Sequence, residues 1–304
     1  MTTGILLMTF GSAETSAGVP AYLRSVRGGS DPTPEVVAEF ERRYDLIGRS
    51  PLFDITDDQA ETLQRLLEAE YGVGKFRVEE GMLHSSPRVA DAVGKLAATC
   101  DEVVGIILAP QYSEQIMAGY PAALNAAGTE HGVAVHMARP WYMLKSFHTA
   151  VAAKVTAALV EMEADAPVVF TAHSLPRRVV DRDPGYLDCL RETAQLIATC
   201  CGLPDDRWQF AYQSAGHTPE EWLRPDFTEL LPALRDAGHK QVLVVPTQFV
   251  ADHLEVLYDI DIAGVKEAAD LGMEMKRCAM LNASPRFIRA LADVVAREAS
   301  IVSV

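Results

Sequence analysis

Short apolar stretches rich in β-branched residues recur along the chain, and a longer stretch with helical periodicity follows each of them. The apolar stretches are almost continuous rather than alternating, which is typical of parallel strands covered by helices on both faces. The pattern therefore predicts eight strands in two sets of four. The predicted strands span residues 4–10, 76–83, 103–109, 133–138, 168–172, 208–213, 241–247 and 274–280.

Helix signals lie in the gaps between the predicted strands. The stretch 56–72 opens with Thr56 and Gln59 at capping-box spacing and ends near Gly72. Two Ser-Pro pairs, at 86–87 and 284–285, place a proline just inside a serine cap of two further helices. These signals predict α/β units.

The two halves of the chain resemble each other. "LLMTFGS" is similar to "VVFTAHS", and "IILAPQYSEQ" is similar to "VLVVPTQFVADH", with a similar chain length between the members of each pair. This repeat predicts two similarly built domains, 1–147 and 148–304, with the boundary near a helix at 146–163. Ligands of open parallel sheets bind beyond the carboxyl ends of the strands, so two such edges that face each other would form a cleft.

Composition excludes several classes of partner. The net charge of −15 opposes binding to phosphate backbones or to anionic lipid, so we expect no nucleic-acid partner. The apolar stretch near the amino terminus is short and lacks a basic flank, which is unlike a secretion signal. No apolar run approaches the roughly 18 residues that span a bilayer. We expect a cytoplasmic protein without an integral membrane segment.

The five cysteines form an odd and unpatterned set in a chain too large to need disulfides. We interpret the adjacent pair Cys200 and Cys201 as small apolar residues at the end of a helix rather than as metal ligands. The motifs HExxH, CxxC and GxxxxGK[ST] are absent from the sequence. His131 and His136 have a spacing that suits a metal, but the alternation around them favours a turn that leads into a strand.

His173 follows a predicted strand on a short linker before Pro176, which would hold its imidazole rigidly at the edge of the sheet. Histidine has a reference pKa of about 6.5, so it exchanges protons near neutral pH and also ligates divalent metals. Position alone leaves a second interpretation open, in which His173 is a buried histidine bonded to a backbone carbonyl.

Asp252, Glu255 and Asp259 lie at i, i+3 and i+7 of a predicted helix, so their carboxylates share one face. Carboxylates four residues apart repel each other by a few tenths of a kcal/mol, and a bound cation would remove that cost. A capping box explains Asp252 with Glu255, but it leaves Asp259 and Asp261 unexplained. Oxygen ligands together with one imidazole suit a loosely held divalent ion such as Fe²⁺.

Three motifs occur in the order "TAHSLP", "YQSAGHTPEEWLRPD" and "ADHLEVLYDID", and with "RYDLIGRSPL" and "LAPQYS" the chain resembles the ferrochelatases over nearly its whole length. The resemblance implies two Rossmann-like, chelatase-type domains, each with a four-stranded parallel sheet flanked by helices, around a porphyrin cleft. It implies insertion of Fe²⁺ into a porphyrin in a late step of haem synthesis.

The resemblance also assigns roles to individual residues. His173 matches the family histidine that takes pyrrole protons or binds metal, and Glu255 matches its partner. Asp259 would be a secondary carboxylate and, with the other two, a metal ligand. The positions that match contacts to the macrocycle or its carboxylates are Phe10, Arg27, Arg43, Tyr44, Ser50 and Tyr120. Guanidinium groups can hold carboxylates bidentately, which accounts for basic contacts in an acidic protein.

Two positions depart from the family pattern. Phe10 stands where many short bacterial members have tyrosine, so no phenolate there can bind product iron. Ala263 stands where the family usually has another glutamate, which shortens the carboxylate row. The carboxyl end lacks cysteines, so we expect no iron–sulfur cluster and no cofactor, with Fe²⁺ as a substrate.

The chemistry agrees with these assignments, because metal insertion needs a base for the pyrrole protons and weak oxygen ligands that pass the ion on. Two alternatives use the same cleft: a carrier that binds haem or porphyrin without turnover, and a sibling chelatase that loads cobalt or nickel into another tetrapyrrole. Likeness to short bacterial members favours coproporphyrin III over protoporphyrin IX as the substrate. The resemblance also implies a monomer.

Overall fold

The eight predicted strands all form. A computed structural model describes residues 2–216 and 219–302, and within these residues the strands build two four-stranded parallel sheets. Each strand agrees with its prediction to within three residues at either end. The strands are β1 (Thr3–Thr9), β2 (Phe76–Met82), β3 (Glu102–Ile107), β4 (Ala134–Met137), β5 (Val168–His173), β6 (Trp208–Gln213), β7 (Gln241–Pro246) and β8 (Glu274–Arg277).

Helices connect these strands, as the sequence predicts. The α-helices are α1 (Val19–Val26), α2 (Pro34–Ile47), α3 (Leu52–Tyr71), α4 (Val89–Ala97), α5 (Gly119–His131), α6 (Lys145–Leu159), α7 (Arg177–Val180), α8 (Gly185–Cys201), α9 (Phe227–Asp236), α10 (Val265–Asp270) and α11 (Pro285–Val302). A π-helix (Val256–Gly264) leads directly into α10, and short 3-10 turns occur at Ser16–Gly18 and Asp205–Arg207. In the part of the chain that is described, no helix is both long and apolar enough to cross a bilayer.

The two sheets have the same strand order. The first sheet runs β2-β1-β3-β4 and the second runs β6-β5-β7-β8, so the first strand of each set is central in its sheet. The carboxyl ends of β1 and β5 therefore lie inside their sheets rather than at an outer strand, in the region where ligands of such folds bind. The predicted fold class, two Rossmann-like domains with four-stranded parallel sheets, is confirmed.

The chain packs as two compact units. The first contains residues 2–141, 251–254 and 282–302, and the second contains residues 142–250 and 255–281. The predicted domains 1–147 and 148–304 differ from these units at residues 142–147, at residues 251–254 and in the placement of the carboxyl-terminal helix. Helix α11 packs against α3 within the first unit, where Arg289 pairs with Glu70.

Each unit has its own apolar core. In the first unit, Leu6 and Met8 of β1 pack with the buried faces of α4 and α5. In the second unit, Val242 and Val244 of β7 pack with α9, with α10 and with Ile260 of the π-helix. Nearly all consecutive residues of β1 and β7 are buried, so both faces of these strands are covered, which accounts for their near-continuous apolar character.

The predicted capping box of Thr56 and Gln59 is wrong. Helix α3 begins at Leu52, one turn earlier, so both residues lie inside the helix and are buried. The Thr56 hydroxyl donates to the Leu52 carbonyl at 2.6 Å, and the Gln59 amide donates to the Asn282 carbonyl at 3.0 Å. A threonine that bonds back along the helix is the common alternative to a cap.

The predicted serine cap of α4 is also wrong. The helix begins at Val89, its N-cap is Arg88, and the Asp91 carboxylate accepts the Arg88 backbone N–H at 3.1 Å. Ser86 lies outside this arrangement. Helix α11 does begin at Pro285 as predicted.

Replacing Val244 with alanine should destabilise the second unit, because its side chain is fully buried and the change leaves a cavity. We expect a loss of about 2 to 3 kcal/mol, measured by urea unfolding. Val160, which is 81% exposed in the same unit, gives the matched control, and Val160→Ala should change stability by less than about 0.5 kcal/mol. Equal losses in the two variants would contradict this account of the core.

Candidate active site

His173 is the last residue of β5, the strand that lies between β6 and β7. Its Nδ1 lies within hydrogen-bonding distance of the Ser174 carbonyl oxygen. A carbonyl only accepts, so Nδ1 carries the proton and donates it. The neutral ring therefore keeps a lone pair on Nε2, which is the atom available to act as a base.

His173 Nε2 lies 3.5 Å from Glu255 Oε2, and both side chains are partly open to solvent, at 25% and 39% exposed. Two lone pairs at this distance do not attract each other, so the contact strengthens when Nε2 takes up a proton and becomes an imidazolium beside a carboxylate. The Phe249 ring meets the imidazole edge to face at 6.3 Å between centroids. In this arrangement the Glu255 carboxylate can stabilise the positive charge that His173 carries when Nε2 is protonated.

His173 thus combines the two interpretations that its position left open. It does bond to a backbone carbonyl, but its other nitrogen points to Glu255 and the side chain is not sealed in the core.

The acidic stretch after β7 forms a π-helix rather than the predicted α-helix. Its i→i+5 hydrogen bonds make each turn wider than the 3.6 residues of an α-helix. Glu255 is the N-cap of this π-helix, and Asp259 and Ala263 lie within it, so the three positions follow one another at four-residue intervals. Short π-helical segments occur frequently at functional sites.

Asp261 is a structural residue. Arg277 of β8 holds its carboxylate with two hydrogen bonds, from Nε at 2.7 Å and from Nη2 at 2.9 Å. The same guanidinium donates to the Cys278 carbonyl at 3.2 Å. A bidentate arginine pair accounts for the acid that capping left unexplained.

Asp252 is held by Asn282, a residue distant in the sequence. The Asp252 backbone N–H donates to Asn282 Oδ1 at 2.9 Å, and Asn282 Nδ2 donates to the Asp252 carboxylate at 2.7 Å. Glu255, at the N-cap of the π-helix, makes no side-chain capping bond. Asp252 therefore serves a side-chain pair in the first unit.

The first unit places two aromatic rings at the carboxyl ends of β1 and β2. Phe10 is 43% exposed, and its ring packs on the His84 imidazole at 4.5 Å between centroids. His84 Nδ1 lies 3.1 Å from the Ser25 hydroxyl. The pKa of His84 is lowered mainly by burial and also by the nearby charge of Arg88. A hydrogen bond between its ring and the Ser25 backbone acts in the opposite direction and raises the pKa.

Tyr44 and Ser50 belong to a buried polar cluster. The Tyr44 hydroxyl lies 2.7 Å from the Ser12 hydroxyl and accepts the Ala13 backbone N–H at 3.1 Å. The Ser12 hydroxyl also contacts the Ser50 hydroxyl at 3.1 Å. Both predicted contact residues are fully buried in this structure, so their role at a macrocycle stays a prediction.

The remaining predicted contact residues differ in their exposure to solvent and in their contacts. Arg27 follows α1 and is exposed. Arg43 is half-buried, donates to Glu39 at 2.8 Å and lies over the Phe40 ring at 5.6 Å. Tyr120 is buried in the core beside α4.

Across residues 2–216 and 219–302, no three His, Cys, Asp or Glu side chains form a group that could hold a metal ion. The roles of His173, Glu255 and Asp259 as metal ligands stay predictions.

The ferrochelatase family model matches residues 2–299. A ferrochelatase of Herpetosiphon aurantiacus is 38% identical over 301 residues, which cover 96% of this chain and 98% of that protein. A coproporphyrin III ferrochelatase of Halalkalibacterium halodurans is 35% identical over 301 residues, which cover 97% and 96%. The chain belongs to the ferrochelatase family.

Among solved structures, the sirohydrochlorin chelatase SirB of Bacillus subtilis subspecies spizizenii, in complex with cobalt, is similar to this ferrochelatase-family chain with a TM-score of 0.57. The match covers 97% of this chain and 94% of SirB at 12% identity. At this identity the likeness is one of fold.

The structure explains the histidine pair His131 and His136 and the cysteine pair Cys200 and Cys201 without a metal. His131 ends α5, Gly132 adopts a left-handed conformation, and His136 lies in β4, which confirms the predicted turn and strand. Cys201 is the last residue of α8, as the interpretation of the cysteine pair expects. Burial raises the pKa of Cys201 to about 11 and that of Cys278 to about 12, so both stay protonated thiols at neutral pH.

Sequence reasoning missed Gln248 and Tyr186. The Gln248 side-chain oxygen accepts the His173 backbone N–H at 2.8 Å, and its nitrogen donates to the Tyr186 hydroxyl at 2.6 Å. One signal was available: Pro246 cannot donate a hydrogen bond, so it marks the point where the ladder of β7 ends.

Replacing Tyr44 with phenylalanine should lower the stability of the first unit by about 1 to 3 kcal/mol, because it leaves the buried Ala13 N–H without its acceptor. Thermal unfolding measures the loss. Tyr71, which is 43% exposed, supplies the matched Tyr71→Phe control and should change stability little. A Tyr44→Phe variant of unchanged stability would show that the cluster does not depend on this hydroxyl.

Proposed function

We propose that this member of the ferrochelatase family inserts Fe²⁺ into coproporphyrin III in a late step of haem biosynthesis, with His173 as the acceptor of pyrrole protons and Glu255 as its partner. The observation that carries the proposal is the contact between His173 Nε2 and Glu255 Oε2 at 3.5 Å, at the end of a central strand. The family membership of the whole chain supports the reaction class.

The proton moves along a simple route. The Nε2 lone pair accepts a proton from a pyrrole N–H, and the pair of electrons left on the pyrrole nitrogen becomes available to bind Fe²⁺. The imidazolium is stabilised by the Glu255 carboxylate, which passes the proton to solvent because both side chains are partly exposed. A second cycle removes the second pyrrole proton.

The π-helix supports delivery of the metal. Glu255 and Asp259 are four residues apart at the start of the π-helix, and hard oxygen ligands bind Fe²⁺ less permanently than a closed site does. Asp261 does not take part, since Arg277 neutralises it. Ala263, four residues after Asp259, supplies no ligand, so we assign no metal-binding carboxylate after Asp259.

Coproporphyrin III carries more carboxylates than protoporphyrin IX, so its recognition needs more cationic partners. Arg27 is exposed at the end of α1, which suits it to bind a propionate bidentately. The relatives support the substrate, since several at 33% to 36% identity bear the name coproporphyrin III ferrochelatase. We also propose that the enzyme works in the cytoplasm as a monomer and needs no iron–sulfur cluster.

Replacing His173 with alanine should lower the kcat of iron insertion by about 10²- to 10⁴-fold, because the pyrrole protons lose their acceptor. The Kd for coproporphyrin III, measured by fluorescence quenching, should change by less than about threefold. His136→Ala is the matched control, since His136 is exposed on β4, and it should retain full activity.

The assay is anaerobic and compares Fe²⁺, Co²⁺ and Ni²⁺ with coproporphyrin III, protoporphyrin IX and sirohydrochlorin. Binding without insertion by the wild type would identify a carrier, and preference for another metal and tetrapyrrole would identify a sibling chelatase. Retained turnover in His173→Ala would refute the assignment of the base.

Replacing Arg27 with alanine should raise the KM for coproporphyrin III by about tenfold with little change in kcat, because a charged hydrogen bond to a propionate is lost. The KM for protoporphyrin IX should rise less. Arg65, exposed on α3 and paired with Glu61, gives the control variant Arg65→Ala, which should leave both KM values unchanged. Equal effects of Arg27→Ala on the two porphyrins would argue against this role.

A further inference from the structure

The hydrogen-bond ladder between β5 and β7 ends two residues before the imidazole. The last paired residues are Thr171 and Pro246, and the Thr171 carbonyl accepts the Thr247 backbone N–H at 2.9 Å. In a parallel pair, alternate residues face the same neighbour, so the His173 N–H points toward the extension of β7. The chain leaves the sheet after Thr247, and no backbone carbonyl of β7 is paired with that N–H.

Gln248 replaces the missing ladder partner with a side chain. Its Oε1 accepts the His173 N–H at 2.8 Å. Because a backbone N–H can only donate, the amide must present its oxygen there, and its nitrogen must face the other way. That nitrogen donates to the Tyr186 hydroxyl at 2.6 Å, in the first turn of α8.

Both members of this chain of hydrogen bonds are shielded from water. Gln248 is 7% exposed and Tyr186 is 3% exposed, and burial raises the pKa of Tyr186, so its hydroxyl stays protonated and neutral. Buried hydrogen bonds hold their groups in one geometry because no water competes for them. The end of β5 is therefore tied to α8 through one amide.

We propose that Gln248 and Tyr186 are positioning residues for proton transfer, which hold the His173 main chain so that Nδ1 donates to Ser174 and Nε2 meets Glu255. The proposal rests on the proposed function of His173. Neither residue contacts the substrate in this scheme, so both act on the catalytic step rather than on porphyrin binding.

Gln248→Met tests the proposal, since methionine is similar in length and removes both hydrogen bonds. We expect kcat to fall by about 10- to 100-fold, with a KM for coproporphyrin III within about twofold of the wild type. Gln248→Glu should keep kcat within about threefold, because a protonated glutamic acid presents the same acceptor to His173 and a donor to Tyr186. Equal losses in the two variants, or no loss in Gln248→Met, would overturn the proposal.

Gln64→Met is the matched control. The Gln64 side-chain oxygen accepts the backbone N–H of Val78, a residue of β2, at 2.8 Å, so the same type of hydrogen bond is lost in the first unit. We expect a similar loss of stability, measured by urea unfolding, without loss of kcat. A fall in kcat as large as that of Gln248→Met would show that general destabilisation explains both results.

A double-mutant cycle with Glu255→Gln separates positioning from unrelated damage. If Gln248 acts through the His173–Glu255 pair, Gln248→Met should lower kcat much less in the Glu255→Gln background than in the wild type. Full additivity of the two effects would contradict the proposal. Tyr186→Phe, which keeps the bond to His173, should lower kcat by about 3- to 10-fold and provides the test if Gln248→Met does not fold.

A readout without iron distinguishes this proposal from the proposed function. In ¹⁵N NMR spectra, wild-type His173 should be the Nδ1–H tautomer, and its amide should exchange slowly with solvent. Gln248→Met should speed that exchange by at least about tenfold, even if the wild type proves unable to insert iron. Unchanged exchange and an unchanged tautomer in Gln248→Met would refute the positioning role whatever the activity.

Discussion

The parallel ladder around β5 is the constraint on which the site depends. Pairing with β6 continues as far as His173, the last residue of this central strand, whereas pairing with β7 ends at Thr171. The Gln248 side chain binds the His173 N–H on the β7 side, so the main chain of His173 has little freedom. The bond from Nδ1 to the Ser174 carbonyl then selects the tautomer. Backbone geometry thereby leaves the Nε2 lone pair of His173 available, which is the condition that the proposed proton transfer requires.

The four carboxylates of the acidic stretch fall into two groups. Asp252 is bound by Asn282 and Asp261 by Arg277, so these two carboxylates stabilise the fold. Glu255 stands at the N-cap of the π-helix, Asp259 lies within it, and both are partly exposed. The hydrogen bonds from Asn282 and Arg277 thus offset the repulsion that Asp252 and Asp261 add to this acidic stretch.

Much of the fold could be predicted because its signals are local. Continuous apolar runs identified all eight strands of the described residues, and the position of His173 after such a run indicated a place at the sheet edge. The failures occurred where a distant partner decides. Thr56 and Asp252 both sit at capping-box spacing, yet one bonds back along its helix and the other bonds Asn282. Nothing local distinguishes a π-helix from an α-helix at 256–264.

In the sequence repeat, Gly11 occupies the position equivalent to His173, since "MTFGS" is similar to "FTAHS". Gly11 has a φ of +96°, and a Cβ on it would lie 2.7 Å from the Ser85 hydroxyl, so this place cannot carry a side chain. If the halves arose by duplication of one ancestral gene, the two copies are no longer interchangeable. The first half has no room for a side chain at this position, and the second half carries an imidazole there. The two halves share an architecture but differ in the chemistry that this position can perform.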